Sequence, residues 1–428
     1  MFAIALLFLS PALSMSLDQA VDAAAATSPV AALADARIAE SQAKVRQATA
    51  HMLPQVSAAG GTLWQNEVAM SICYPMYKGL QAGGLAVQPD MCDGFEDPVI
   101  NPAHQWQWQV QAQQALLAPQ AYLWRKAAQQ GATLAEGQGD AELYQLESYV
   151  VEAWHASARH QAMLEDARSA LALAERIEQL AQTLVENGVA TRDQVLQAEG
   201  AVATARATVA RSEAASSAAD AALSLMTGET ARADAFSVPA AVPSLSEATA
   251  HLDRPDLQLA GTRVEAAVAV VKAERGAAMP VLGVSGKVFG LDPAPLVYDD
   301  VNWNVMLGLT VPIIQGGAVM AKVDQAQAQV EMASAAKRLI RDQAELEIIR
   351  IHGELSASMA ALTEREEALR LAGEAVEFAE TRLREGSGSM LDLQTAHGGV
   401  AEARVRLTLA KADAAYAHDK LRHATGSL

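Results

Sequence analysis

Aromatic side chains are scarce in this sequence. Phe, Tyr and Trp together make up 4% of its 428 residues, although 51% of the chain is hydrophobic. Alanine supplies much of that apolar count, and small side chains of this kind suit closely packed helices better than a thick globular core. Basic residues are in deficit as well. With 32 Lys and Arg against 50 Asp and Glu, the net charge is −18, which argues against nucleic acid or an anionic membrane surface as a main partner and favours cations along acidic walls. Beyond the N-terminus no stretch is long and apolar enough for a transmembrane helix, which needs about 20 residues. Proline is missing between Leu123 and Glu186, so nothing interrupts a helix there.

The signatures of catalysis are also missing. There is no Gly-rich phosphate loop, nucleophile elbow or close His/Cys/carboxylate cluster, so the sequence calls for no catalytic residue, no metal and no cofactor. His155 and His160 share neither the face spacing nor an acidic partner of a zinc motif and read as ordinary helix residues. Only two cysteines are present, Cys73 and Cys92, in a segment rich in Gly, Pro and Asp. In an exported protein such a pair reads as a disulfide across a loop. Met70, Met76 and Met91 nearby leave a soft-metal site as the alternative, although methionines also fill gaps in packing.

The N-terminus, MFAIALLFLSPALSMS, is a short apolar run followed by small residues. It suits a secretory signal despite its lack of an initial Lys or Arg, and it is too short to span a bilayer as a helix. A buried N-terminal helix is the alternative. No cysteine follows the cleavage zone, so a lipid anchor is not indicated.

What the chain does contain is a duplication. Pro29 and Pro54 match Pro255 and Pro280 at one constant offset, with Arg37 over Arg263 and Ala43 over Ala269 between them. Further on, Gly188, Ala198, Gly200 and Arg206 match Gly386, Ala396, Gly398 and Arg404. The domain division follows: an export signal over 1–16, a first repeat over 17–228, a linker over 229–243 and a second repeat over 244–428. Each repeat is read as a helix ended by proline, two strands joined by a loop, and a long helical hairpin. The uninterrupted stretch from Leu123 to Glu186 corresponds to a rod on the order of 95 Å at about 1.5 Å per residue.

The strands carry the most specific signal. In WQWQVQAQ, Trp106, Trp108, Val110 and Ala112 alternate with Gln107, Gln109, Gln111 and Gln113, which separates two faces completely because successive side chains of a strand point to opposite sides. Trp303, Val305, Leu307, Leu309 and Val311 repeat the pattern. The first strand, Gln55 to Trp64, alternates poorly, and Lys287 in the third requires a lumen-facing direction. Four such strands cannot all hide an apolar face against helices already paired with one another. A membrane barrel tolerates no open edge and needs at least about eight strands, so several chains must contribute to one barrel. Trp64, Trp106, Trp108 and Trp303 then read as an interfacial aromatic girdle. The loop of the first repeat exceeds its counterpart by about thirty residues and carries both cysteines.

Taken with VPIIQGG at the end of the last strand and ENGVATRDQVLQAEGAVATAR at the first hairpin tip, this order of parts resembles the TolC-type outer membrane efflux protein (outer membrane factor) family. The resemblance implies a mainly α chain with a β-barrel portion. It further implies a homotrimer whose strands, about twelve in all, form one transmembrane barrel continued by a periplasmic α-helical barrel. It places the chain in outer membrane lipid of a Gram-negative bacterium, with a large periplasmic portion. The implied function is that of a passive exit duct in tripartite efflux or type I secretion, opened by a periplasmic adaptor (membrane fusion protein) and an inner membrane pump or ABC transporter. The family's inward-facing aspartate, six residues beyond the second tip glycine, falls on Asp392. A second family aspartate is replaced by Thr395. The first hairpin has Gln194 at the matching position, with Asp193 beside it. A ring of Asp392 carboxylates would attract cations, whereas a carboxylate near a helix start is also explained by the dipole alone. The tips expected to meet the adaptor are Asn187, Gly188, Val189, Ala190 and Thr191 in the first hairpin and Glu385, Gly386, Ser387, Gly388 and Ser389 in the second. Arg384 or Glu385 would help hold a closed state. A soluble or peripheral periplasmic coiled-coil adaptor is the rival reading, since it shares the hairpins, but it has no use for amphipathic strands.

Overall fold

The computed structural model describes residues 13–66, 68–69, 73–88, 90–93, 99–188, 191–250, 252–294 and 299–427. β1 (Leu13–Met15) leads into α1 (Leu17–Thr27) and α2 (Pro29–Ala50). β2 (Gln55–Trp64) is followed by a loop segment holding β3 (Val68–Ala69), α3 (Cys73–Ala82) and β4 (Val99–Asn101), then by β5 (His104–Leu117). α4 (Pro119–Glu186) and α5 (Arg192–Thr227) form the first long hairpin. The second half runs through β6 (Ala231–Ala233), α6 (Leu245–Ala250), α7 (Pro255–Arg275), β7 (Val281–Asp292), β8 (Val301–Thr310), α8 (Ala318–Arg384) and α9 (Met390–Thr425). The chain is thus mainly helical, with a strand portion.

Proline and glycine set the boundaries for opposite reasons. Pro29, Pro119 and Pro255 occupy the first position of α2, α4 and α7, where the missing N–H costs nothing and the fixed φ favours a helix. Gly228 and Gly426 close α5 and α9 at φ of 73° and 76°, in the left-handed region that glycine enters without a Cβ penalty. The repeats agree in length: α4 has 68 residues and α8 has 67, while α5 and α9 have 36 each. Buried positions recur at the same offset. Val150 and Leu223 lie in the core of the first repeat, as Ile348 and Leu421 do in that of the second.

Two compact units emerge, and they do not coincide with the repeats. One comprises Met1–Ala39, Thr133–Val264 and Met332–Leu428, the other Glu40–Ala132 and Glu265–Glu331. In the first unit, β1 pairs parallel with β6, Leu13 opposite Ala231 and Met15 opposite Ala233. The indole N–H of Trp154 donates to the Met15 carbonyl at 2.9 Å, and Ser16 caps α1. β1 therefore falls inside the segment read as an export signal, and β6 inside the segment read as a linker. Removal of residues 1–16 would take away both the strand and the cap. Residues 1–12, which hold the apolar run, lie outside the described residues.

One further feature of the first unit departs from the sequence reading. His155 does have an acidic partner: its Nε2 lies 3.0 Å from Asp419 Oδ2. Burial pushes the Asp419 carboxyl up, but hydrogen bonds and charge from His155 and His418 outweigh this and hold it below its usual range. Arg254, at the start of α7, is clamped by Asp256 at 2.9 Å and Glu347 at 2.8 Å, and its guanidinium sits 5.3 Å from the Tyr144 ring centre.

The second unit holds a four-stranded antiparallel sheet in the order β2-β5-β7-β8. β2 and β5 come from the first repeat and β7 and β8 from the second, so the sheet is itself a product of the duplication. Its register is fixed by pairs such as Gly60 with Trp108, Trp108 with Gly290, and Val288 with Trp303. Beside it, Leu123, Ala127, Ala269, Val270 and Ala273 pack α4 against α7. α3, a single helix of 10 residues, stands where the sequence reading saw only loop. No helix among the described residues is long and apolar enough to cross a membrane, which says nothing of a barrel.

Candidate functional site

Two regions hold the residues singled out in the sequence: the sheet and the hairpin tips. In the sheet, the register places Trp64, Trp106, Trp108 and Trp303 on one face, together with Val56, Val110, Val288, Val305, Leu307 and Leu309. Five glutamines of β5, Gln105, Gln107, Gln109, Gln111 and Gln113, share the other face with Ser57, Ser285, Lys287, Asn302 and Asn304. The apolar face is bare, with Val56 69% exposed, Trp303 75% and Leu307 66%. Hollows of about 350 and 210 Å³ open on the polar side, lined chiefly by residues such as Gln113, Ser285 and Met306 in one and Gln107, Lys287 and Phe289 in the other. The glutamine face is therefore the concave one. Among the described residues, both outer strands, β2 and β8, pair on one edge only.

Glycine makes room for the tryptophans. A Cβ on Gly60 would touch the Trp106 ring at 3.4 Å, and one on Gly290 would collide with the Trp108 indole and with the Asp300 carbonyl at 2.8 Å. Sequence reasoning missed two aromatics beyond the far end of β5, the exposed Tyr122 and Trp124 in the first turns of α4. They lie outside the alternating pattern, so parity could not reveal them. Position could have done so. From Trp108 to Leu117 the strand runs about 31 Å at about 3.4 Å per residue, or roughly 23 Å in height if tilted by about 40°, close to the roughly 25 Å apolar band of a membrane barrel.

In the loop between β2 and β5, Cys73 and Cys92 are joined by a disulfide with Cα atoms 5.7 Å apart. Neither thiol is free to ligate a metal, and no group of three or more His, Cys, Asp or Glu able to hold one occurs among the described residues. Met70 lies outside the described residues.

At the tips, Gly188 and Gly386 both adopt φ of 70°, the left-handed step that reverses each chain. The helices behind them converge on one cluster, in which Ile177 and Ala181 of α4, Ala198 of α5, Ala379 of α8, and Met390 and Leu393 of α9 are buried together. Asp193, Gln194, Asp392 and Thr395 are thereby brought to the same end of this unit. Asp392 and Ser389 cap α9 reciprocally: the Ser389 N–H donates to Asp392 Oδ2 at 3.0 Å, and the Asp392 N–H to Ser389 Oγ at 3.1 Å. Those bonds to Ser389, helped by Arg382, hold the exposed Asp392 carboxyl below its usual range. Gln194 copies the role in the first hairpin, its Oε1 accepting from the Thr191 N–H at 3.1 Å. Asp193 accepts from Gln197 at 3.0 Å, and the Thr395 hydroxyl donates to the Leu391 carbonyl at 2.8 Å. The Asn187 amide donates to the Thr183 carbonyl at 2.8 Å.

In the second tip, the Glu385 N–H donates to the Thr381 carbonyl at 3.0 Å, and the N–H groups of Ser387 and Gly388 both reach the Arg382 carbonyl at 2.9 Å. Arg384 pairs with Glu380 of its own helix at 3.4 Å. Val189 and Ala190 lie outside the described residues.

Comparison with known proteins agrees with this arrangement. A family model described as outer membrane efflux protein matches residues 20–229 and 248–427. The curated protein BepC of Brucella suis, an outer membrane efflux protein, is 26% identical over 255 residues, which cover 58% of this chain and 56% of BepC. The match thus spans about half the length of that relative. Among solved structures, the outer membrane protein VceC from Vibrio cholerae superposes with a TM-score of 0.73 at 20% identity, covering 96% of each chain. CusC, from structures concerned with transmembrane channel formation, reaches 0.77 at 16% identity, covering 98% of this chain and 95% of its own. At these identities the superpositions establish the fold, and the family model, which spans nearly the whole chain, establishes membership. The chain belongs to the outer membrane efflux protein family.

Proposed function

We propose that this chain is the outer membrane exit duct of a tripartite efflux or type I secretion system, a conduit without catalysis. Its strands close with those of two further copies into a barrel of about twelve strands, and its helices line a tunnel through the periplasm. The observation that carries this reading is the bare apolar face of the sheet. Exposed Trp, Val and Leu side chains on the convex face need a lipid solvent, and the amides of the concave face need water. The free edges of β2 and β8 need strands from other chains, because an open edge is not tolerated in hydrocarbon. Trp64, Trp106, Trp108 and Trp303 form the outer girdle on this reading, and Tyr122 and Trp124 the inner one. The disulfide-stapled loop then lies outside the cell. A soluble adaptor would have no reason to leave that face bare.

The repeats, 17–228 and 244–428, each supply half of the barrel segment and one hairpin. At the tips we assign Asp392 as the acidic ring of the periplasmic gate, with Thr395, Asp193 and Gln194 around it. The turns 187–191 and 385–389 contact the periplasmic adaptor, behind which stands an inner membrane pump or ABC transporter. The bonds from Ser389, which hold the Asp392 carboxyl below its usual range, favour the charged form in a gate built on it. An export leader that leaves β1 in place ends before Leu13. The test is a drug and metal susceptibility panel on a deletion strain complemented with the wild-type protein or with Asp392→Ala. Complementation by the wild type, altered by Asp392→Ala, is expected. A panel indifferent to the deletion would remove support for export of those compounds.

A further inference from the structure

The concave face of the sheet is almost free of charge, and its one exception sits in the middle. The register assigns to that face Gln55, Ser57, Ala59, Gly61 and Leu63 of β2 and the five glutamines from Gln105 to Gln113 of β5. β7 contributes Gly283, Ser285, Lys287, Phe289 and Leu291, and β8 contributes Asn302, Asn304, Met306, Gly308 and Thr310. Lys287 is the only ionisable side chain among them. It lies opposite Gln111 on one side and Asn304 on the other, neither of which can neutralise it. Its Nζ rests 4.7 Å from the centre of the Phe289 ring, a contact that does not cancel its charge. A chain with a net charge of −18 thus presents a lone cation at mid-strand.

We propose that Lys287, repeated once per subunit, forms a cationic ring that favours anions in the outer bore, opposite in sign to the acidic ring assigned at the periplasmic tips. The proposal rests on the duct reading. A barrel of about twelve strands, spaced by about 4.8 Å and tilted by about 40°, has a backbone radius of about 12 Å. An extended lysine reaches about half that distance inward, and the Debye length in 0.1 M salt is about 10 Å. The fields of the subunits therefore overlap on the axis at ordinary ionic strength and vanish in about 1 M salt, where the Debye length is about 3 Å. Such a ring concentrates anionic cargo, or anionic parts of amphipathic cargo, and depletes cations at this level of the duct.

The test uses thiol chemistry from outside the cell, which does not depend on the state of the periplasmic gate. The native cysteines are both in the disulfide, so an introduced thiol reports alone. Gln109→Cys places it on the concave face next to Phe289, and Val110→Cys places it on the convex face. Anionic and cationic methanethiosulfonate reagents are applied to intact cells, and the ratio of their reaction rates is compared with and without Lys287→Gln. The expected result is that Gln109→Cys reacts while Val110→Cys does not. The anionic-to-cationic ratio should fall at least about fivefold with Lys287→Gln, and stay high with Lys287→Arg. In the protein retaining Lys287, about 1 M salt should remove the preference without any further variant. Equal reactivity at positions 109 and 110, or reaction only at 110, would overturn the duct reading itself. A reactive Gln109→Cys whose ratio ignores both Lys287→Gln and salt would overturn the cationic ring and leave the duct standing.

Discussion

Gly290 has no side chain because the Trp108 indole occupies the space where a Cβ would stand. Gly290→Val forces the ring away and also crowds the Asp300 carbonyl, so overpacking should cost about 1–3 kcal/mol. The measurement is the heat or denaturant midpoint of the detergent-solubilised protein. An unshifted midpoint would mean that the indole does not depend on that space. His423 makes a second prediction. Burial pushes its imidazole below the usual range, with the Arg254 charge adding to the effect and the hydrogen bond to the Tyr144 carbonyl opposing it. The Nε2 to Tyr144 oxygen distance is 2.9 Å, the Tyr144 hydroxyl donates back to the His423 carbonyl at 2.8 Å, and the rings stack at 4.0 Å. A depressed folded pKa means that the unfolded chain binds more protons, so stability rises with pH. The contribution is fully present above about pH 6.5, the unfolded value, and is lost as pH falls from there until it levels off below the folded value. Thermal midpoints measured from pH 7.5 down to about 5 should show this loss, and His423→Gln should flatten it. A slope identical in the variant would assign the effect to other groups.

At the scale of the element, α8 shows how one helix serves two neighbours. Ile348, Ile351 and Leu355 are fully buried against α9 and α6. On a different face, Met332, Leu339 and Leu346 follow one another at heptad spacing and are exposed, Leu346 at 65%. A helix with a second bare apolar stripe has a further partner, which we take to be the adjoining subunit. Leu346→Glu should leave the chain folded while lowering the trimer fraction in detergent at least about tenfold. A trimer fraction equal to wild type would place that stripe elsewhere.

Elements were legible in the sequence to the degree that their causes are local. β2 runs from Gln55 to Trp64 as read, and the rods stop beside Gly188 and Gly386, because alternation, helical periodicity and glycine turns are written in neighbouring residues. β1 with β6, and His155 with Asp419, join positions hundreds of residues apart, so nothing near either partner announces them. α3 reads as loop in the sequence because Pro75 and Gly79 lie within it and Gly83 and Gly84 follow it directly. Asp392 shows a different limit. Its capping bond to Ser389 is local and readable, whereas a position on the pore axis depends on other chains.

For the whole molecule, duplication was the legible feature and the division into units was not. Matched prolines and glycines revealed two repeats, but each compact unit draws on both of them, since the strands of one repeat pair with those of the other through β5 and β7. That pairing leaves a four-stranded sheet with two free edges and an uncovered apolar face, which is the physical reason for invoking further copies. Native mass spectrometry of the detergent-extracted protein counts the chains directly. A complex of three chains that requires detergent to stay in solution is the predicted result. A single chain, soluble without detergent, would contradict the account.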